Sequence, residues 1–145
     1  MMASRRDSEQ ALAVLRAEDC TCVLCRGEQV IRSHQRGVRP LLGWVREGKE
    51  KTGFCAADKV VGRAAAFLYV LLKIRELHAC VLSIPAKEVL EAHGIPVTYD
   101  LLVDRIRNRS GDGFCPMEQA VRDVIDPGEA LEKIERTLRE LQASS

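Results

Sequence analysis

The chain has 145 residues, the size of one domain, and its 46% hydrophobic and 30% charged residues are typical of a folded globular protein. Its 22 Lys and Arg residues nearly balance 21 Asp and Glu residues, which leaves a net charge of +1. This balance argues against a general nucleic-acid or membrane-surface binder, since both need a positive field. An aromatic content of 4% also argues against a stacking platform for single strands.

Neither a membrane span nor an export signal is expected. The longest apolar run, from Ala64 to Leu72, lies between Arg63 and Lys73 and is too short to cross a bilayer. The first ten residues include two arginines, but no apolar stretch follows them. Six cysteines without a secretory signal are typical of free thiols in a reducing compartment, so we expect a cytoplasmic protein.

The first half of the chain predicts helices around a hairpin. Asp7 or Ser8 can cap a first helix. Residues 20–33 hold two apolar stretches around a turn that contains glycine, which predicts a β-hairpin. Residues 37–47 carry apolar side chains at helical spacing, and residues 54–57 predict a short buried strand.

Strands and helices then alternate. Residues 60–74 predict a helix that is apolar nearly all round, so we expect it to be covered on several sides. Residues 78–83 predict a buried strand, followed by a helix that Pro85 opens and that ends at His93-Gly94. Residues 95–99 predict a further short strand.

In the last third, residues 108–113 predict a polar, Gly-rich loop, Cys115 opens a helix, and residues 126–129 have the residue types that start a final helix. Strands that alternate with helices after an opening hairpin predict a three-layer α/β/α sandwich with a mixed sheet. We expect a single domain over residues 1–145. Flexible tails are expected at about residues 1–7 and 143–145.

A candidate anion site lies where the predicted strand passes into the long apolar helix, at Asp58-Lys59-Val60-Val61-Gly62-Arg63. A helix N-terminus offers free N–H groups, and Lys59 and Arg63 add positive charge there. The alternative is that Asp58 caps the helix while both cations are solvated. This alternative is slightly favoured on the residues alone, because no P-loop or dinucleotide fingerprint is present.

Cys115-Pro116-Met117-Glu118 is the sharpest local motif. With Cys115 as N-cap and Pro116 at the first helical position, Glu118 can reach back to the cap. A thiol at a helix N-terminus favours the reactive thiolate, although the Glu118 carboxylate opposes this effect. A structural cap is the more frequent use of such a motif, and a nucleophile or redox thiol is the alternative.

Three cysteines form a cluster that has a structural and a functional interpretation. Cys20, Cys22 and Cys25 could ligate a metal. However, Cys20 and Cys22 should share one strand face with Cys25 on the other, which favours buried thiols.

Polar residues in two other segments are candidate ligand contacts. Ser83, at a strand end, could line a pocket at the carboxyl edge of the sheet. Arg105, Asn108 and Arg109 could bind an anionic substrate, or could simply be solvated.

Five segments in combination resemble a bacterial family called domain of unknown function 1893. They are residues 36–42, 57–66, 81–100, 106–118 and 126–131, which include ADKVVGRAAA, VLSIPAKEVLEAHGIPVTYD and IRNRSGDGFCPME. The resemblance implies a fold similar to that of the cytidine deaminases, an α/β/α sandwich. The hairpin-first order of elements agrees with it.

The same resemblance argues against zinc chemistry. Zinc deaminases place a His or Cys and a catalytic Glu at the start of one helix, and Pro-Cys-x-x-Cys at the next. Here the first helix starts without a ligand or an acid, and Ala86 and Val89 occupy the implied cysteine positions. The sequence therefore disfavours zinc-dependent deamination, and neither a metal nor a cofactor is expected.

In a deaminase-like fold the N-termini of the two central helices point into one pocket. Asp58, Lys59 and Ser83 would line its mouth, and residues 108–118 could close over it. The remaining residues that match the family motifs are Gly62, Asn108, Arg109, Cys115, Pro116 and Glu118.

The leading hypothesis is therefore a metal-free, deaminase-like pocket that binds a small anionic or nucleotide-like ligand. Helix N–H groups, Lys59 and Arg63 would hold that ligand. The alternative is an enzyme that uses Cys115 as nucleophile or redox thiol, with Lys59 as its electrostatic partner and Asp58 or Glu118 as acid/base. An interaction protein that presents its final amphipathic helix ranks last. The sequence leaves a homo-oligomer open.

Overall fold

The computed structural model describes residues 2–35, 37–48, 50–106 and 115–143, which form six helices and five strands. In chain order these are α1 (Met2–Ala17), β1 (Cys22–Arg26), β2 (Gln29–Ser33), α2 (Arg39–Arg46), β3 (Cys55–Val61), α3 (Arg63–Leu72), β4 (Glu76–Ser83), α4 (Ile84–Ala92), β5 (Val97–Val103), α5 (Pro116–Ala120) and α6 (Pro127–Ala143). No helix in these ranges is both long and apolar enough to cross a bilayer.

The strands form one mixed sheet in the order β2-β1-β3-β4-β5. β1 runs antiparallel to both β2 and β3, whereas β3, β4 and β5 are parallel to one another. The predicted hairpin is confirmed, and its turn contains Gly27 at φ +61°, a left-handed conformation that glycine adopts without strain. The protein is thus an α/β protein with a five-stranded mixed sheet, as the alternation of elements predicts.

Apolar side chains from the sheet belong to two core clusters. Val23 and Cys25 of β1 pack with Ala11 and Leu15 of α1. Leu24, between them in the strand, belongs to the second cluster, because neighbouring residues in a strand point to opposite faces. The second cluster also holds α3, which is buried from Ala64 to Tyr69, as expected for a helix that is apolar nearly all round.

The first helix differs from its prediction. It begins at Met2, so residues 2–7, which the sequence suggested as a tail, are helical. Asp7 therefore lies inside the helix and does not cap it. Its buried carboxylate accepts the backbone N–H of Gly27 at 2.9 Å, which ties α1 to the hairpin turn. A carboxylate with such a tertiary partner is readily accommodated inside a helix.

The junction between β3 and α3 is the most consequential correction. The sequence predicts a strand over residues 54–57 and a helix from residue 60, but β3 continues to Val61 and the helix starts at Arg63. Val60 and Val61 pair with β4 instead, as β-branched residues favour. Asp58 and Lys59 therefore belong to the strand and not to the helix start.

The second half follows its prediction closely. α4 ends at Ala92 with His93 as its C-cap, and Gly94 adopts φ +73° just beyond, at the predicted end of the helix. β5 is longer than predicted and continues to Val103. α6 begins as expected, with an Asp126 carboxylate oxygen accepting the Glu129 N–H at 2.9 Å.

Candidate functional site

A cavity of about 160 Å³ opens where the three parallel strands end. Arg63 follows β3, Pro85 follows β4 and Asp104 follows β5, so each strand delivers one part of the lining at its carboxyl end. The rest of the lining consists of Arg105, Ile106, Glu118, Gln119 and Arg122. Three arginines face two carboxylates here, so the wall carries more positive than negative groups.

Glu118 reaches the N-terminus of α3 from a distant part of the chain. Its two carboxylate oxygens accept the backbone N–H groups of Arg63, at 2.6 Å, and of Ala64, at 2.9 Å. A carboxylate is favoured at this position because the first N–H groups of a helix lack intrahelical partners and carry partial positive charge. The prediction that Glu118 reaches back to Cys115 is therefore wrong. The anion position of α3 is occupied by the protein itself.

Gly62 makes this contact possible. It is the N-cap of α3 and has no side chain with which to cap the helix. A Cβ at this position would lie 2.6 Å from the carboxyl carbon of Glu118, too close for any real contact. Burial raises the pKa of Glu118, while the two N–H donors and the charge of Arg63 oppose that shift.

Arg63, at the start of α3, in turn contacts the segment that carries Glu118. Its guanidinium donates to the backbone carbonyls of Val121, at 3.0 Å, and of Val124. It also donates to the carbonyl of Pro85 at 3.4 Å and lies 5.2 Å from the ring centre of Phe67. Arg63 and Glu118 thus join α3, the start of α4 and residues 115–124 around the cavity.

Asp58 and Lys59 do not line the cavity, which corrects the prediction that both stand at its mouth. Asp58 is buried and accepts the hydroxyl hydrogen of Tyr69 at 2.7 Å. Burial raises the pKa of Asp58 to about 7, against the lowering effect of that hydrogen bond. The Lys59 ammonium is exposed and lies 3.9 Å from the Asp19 carboxylate, just after α1. The strand, by continuing to Val61, separates both side chains from Arg63.

Ser83 and Cys115 both hold N-cap positions. The buried Ser83 hydroxyl accepts the Ala86 N–H at 3.1 Å, so it caps α4 and is not a lining residue. Cys115 caps α5 by position, as predicted, but its thiol makes no capping hydrogen bond and packs against the core. Asn108 and Arg109, the other two predicted ligand residues, lie outside the described residues.

The three clustered cysteines are buried, as the sequence favours. Cys22 lies beside Tyr69, with its sulfur 3.1 Å from the hydroxyl oxygen, whereas Cys20 and Cys25 pack with α1. Cys20 precedes the strand, so the prediction that it shares a face with Cys22 is wrong. Across the described residues, no group of three or more His, Cys, Asp or Glu side chains is arranged to hold a metal ion.

The sequence pattern misses Gln119 and Arg122 as lining residues. A helix predicted from Cys115 would put Arg122 on the same face as Glu118, four residues earlier, although α5 ends at Ala120 and Arg122 lies in the turn that follows. The predicted helix start at Cys115 could therefore have paired the two residues. Asp104 had no comparable signal, since its place depends on where β5 ends.

Comparisons with known proteins show the family of this chain and a similar overall fold. The family model named TM1506, a domain of unknown function (DUF1893), matches residues 10–138. A crystal structure of a DUF1893 family protein (TM1506) from Thermotoga maritima superposes with a TM-score of 0.82 at 26% sequence identity, covering 94% of this chain and 90% of that one. No curated protein matches the chain. The chain therefore belongs to the DUF1893 family.

Proposed function

We propose that this protein binds a small anionic ligand in the cavity at the carboxyl ends of β3, β4 and β5. The observation that carries the proposal is the convergence of Arg63, Arg105 and Arg122 on one cavity from three separate segments. Open α/β sheets commonly bind ligands outside the carboxyl ends of their strands. Guanidinium groups suit phosphate and carboxylate because their N–H groups can bond two oxygens at once.

The contacts of Glu118 and Arg63 show which residues support the cavity and which ones remain to contact a ligand. Glu118 takes the first N–H groups of α3, and Arg63 holds three backbone carbonyls, so both are structural supports for the cavity. Arg105 and Arg122, whose side chains are exposed, would contact the ligand's negative charge, and the charge of Arg63 adds to the positive field of the same cavity, with Gln119 as a neutral hydrogen-bonding neighbour. Lys59, which the sequence favours as a ligand contact, has no part in this version of the site.

The size of the cavity limits the part of the ligand that it encloses. Its volume is about 160 Å³. That volume accommodates a phosphate or carboxylate group with a few further atoms. A nucleotide-like ligand would place its phosphate inside and its base in the opening.

We also infer that the fold is a three-layer α/β/α sandwich of the cytidine deaminase type. Its support is the opening hairpin, the mixed sheet, and α1 packing with a different set of sheet residues from α3. Ala86 and Val89, at the implied cysteine positions, are buried and apolar. A binding role for the pocket is therefore favoured over zinc-dependent deamination.

An enzyme that uses Cys115 as nucleophile or redox thiol is the second candidate. One observation favours it: the thiol stands at an N-cap and makes no capping hydrogen bond, so the cap function does not explain the residue. pH-dependent alkylation, resolved for each cysteine by peptide mass spectrometry, tests this candidate. Fast reaction of Cys115 well below the ordinary thiol pKa of about 8.5 would support it, and ordinary titration would remove it.

Calorimetric titration with inorganic phosphate, followed by a panel of nucleoside monophosphates and small phosphorylated metabolites, tests the leading proposal. The expected result is binding to the wild type that the double variant R105A/R122A loses. The variant R139A is the matched control, because Arg139 is an exposed arginine on α6 outside the cavity. Equal binding by the double variant, or no binding by the wild type, would contradict the proposal.

A further inference from the structure

β5 is one edge of the sheet, and its outer side is unpaired within the described part of the chain. All seven of its residues are exposed or half-exposed. Leu101 is 55% exposed, Tyr99 is 39% exposed and Leu102 is 36% exposed. A long edge strand with exposed apolar side chains is a template for pairing with another strand.

The usual protection of an edge strand is missing from β5. It contains neither Lys nor Pro, and Asp100 is its single charged residue. That carboxylate is already paired with Arg16 at 3.3 Å and with His78 at 3.2 Å. The opposite edge, β2, is shorter, with five residues against the seven of β5, and short edge strands are less prone to pair with another chain.

We propose that β5 pairs antiparallel with β5 of a second copy of this chain, about a two-fold axis at Leu101. Two-fold dimers are the commonest homo-oligomers, and their interfaces must be self-complementary. With this axis, Leu101 lies opposite the partner's Leu101, and Tyr99 lies opposite the partner's Val103. On the face of the sheet that carries Tyr99, Leu101 and Val103, apolar side chains therefore meet apolar side chains, which stabilises the strand pair. On the other face, Asp100 lies opposite the partner's Leu102, so no like charges are opposed there.

Charge selects this register over its neighbours. A two-fold axis at Asp100 would place two aspartates directly opposite each other, and an axis at Leu102 would place Asp104 opposite the partner's Asp100. Like charges in directly opposed positions destabilise a strand pair. An axis at Tyr99 would bring Pro96, which has no N–H to donate, into the pairing. The register at Leu101 avoids all of these conflicts. The pattern of apolar and charged residues in β5 therefore fits a second copy of β5, and a strand from an unrelated protein would have no reason to fit it.

Sedimentation equilibrium on the full chain tests the proposal. The wild type is expected to be a dimer. L101K is expected to raise the dimer dissociation constant by about a hundredfold, because the dimer would lose the apolar contact of two leucines and would place two lysines opposite each other. The matched control is I125K, the same change at an apolar residue that is 80% exposed and lies outside the strands. A monomeric wild type, or a dimer that L101K leaves intact, would overturn the proposal.

Cysteine cross-linking checks the register without relying on a destabilising change. Opposed residues of an antiparallel pair have Cα atoms about 5 Å apart, within disulfide range, so L101C should form a 101–101 disulfide under mild oxidation. The control T98C should not cross-link, because the two copies of residue 98 would be six positions apart, roughly 20 Å. Peptide mass spectrometry identifies the linked residues. A 98–98 disulfide, or no 101–101 disulfide, would contradict the register.

Discussion

The two helices that follow β3 and β4 begin in contrasting ways. α4 is capped by the residue just before it, since the Ser83 hydroxyl accepts the Ala86 N–H at 3.1 Å. α3 is preceded by Gly62, and its first N–H groups are met by Glu118, 55 positions further along the chain than Arg63. One N-terminus is therefore satisfied locally and the other through tertiary structure.

This difference decides which groups are available to bind an anionic ligand. From sequence alone, the N-terminus of α3 looks free for an anion, because nothing beside it caps the helix. The fold fills that position with a carboxylate of its own and leaves arginines around the adjoining cavity. An unsatisfied helix start in a sequence can thus indicate a distant partner in the same chain as readily as a ligand.

Asp58 offers the largest expected effect, because it is a buried carboxylate that no helix N-terminus supports. The pKa of Asp58 is about 7 in the folded protein, against 3.8 ordinarily. Between these two pH values, the Asp58 carboxyl is protonated in the folded state and ionised in the unfolded state. Stability should therefore fall as the pH rises from about 4 to about 7, by about 4 kcal/mol in total, and then level off. Denaturant unfolding across this range measures the slope.

The control for this prediction is D58N, which has no carboxyl group to titrate. The free energy of unfolding of the wild type should fall more steeply with rising pH than that of D58N over the same range. Parallel slopes would mean that the Asp58 carboxyl titrates near its ordinary pKa and that its burial costs little.

Gly62→Ala is the next largest expected effect and tests the distant cap directly. The added Cβ would displace the Glu118 carboxylate from its two donors and leave it buried without partners, which should cost about 3 kcal/mol. The matched control is Gly43→Ala in α2, where a Cβ meets no atom within 4 Å and should stabilise the helix by about 0.5–1 kcal/mol. Chemical denaturation of both variants provides the comparison.

Glu118→Ala should cost about 2 kcal/mol, because it removes the acceptor of two N–H groups and no charge is left behind. It should therefore be milder than Gly62→Ala. The two changes should also be non-additive, since the alanine at residue 62 has nothing to displace once the carboxylate is gone. Additive unfolding free energies in the double variant would show that Gly62 and Glu118 act separately.

Ser83→Ala should have the smallest effect, about 1 kcal/mol, because it removes a single local cap. Ser83→Thr keeps an acceptor oxygen and is the conservative control. If Ser83→Ala lowered the unfolding temperature more than Glu118→Ala, the local cap of α4 would stabilise the protein more than the distant cap of α3. That result would contradict the order of effects predicted here.

The parts of this molecule that sequence reasoning predicts depend on neighbours in the chain. The hairpin turn at Gly27, the end of α4 at Gly94 and the Asp126 cap of α6 are all local, and each is confirmed. The family resemblance adds the DUF1893 family, which the comparison over residues 10–138 confirms.

The errors at the candidate site have one physical cause, which is pairing between distant residues. Val60 and Val61 fit a helical pattern equally well, and their pairing with β4 decides that they extend the strand. That extension carries Lys59 away from Arg63, and the predicted anion site loses its lysine. Glu118 has no signal in its own segment that points to α3.

The most direct test of the proposed site is a titration of ¹⁵N-labelled protein with inorganic phosphate, followed by amide chemical shifts. We predict chemical-shift changes at the amides of Arg105, Gln119 and Arg122 and no change at the Lys59 amide. Shifts centred on Lys59, with the cavity residues unchanged, would contradict it and return the anion site to the strand.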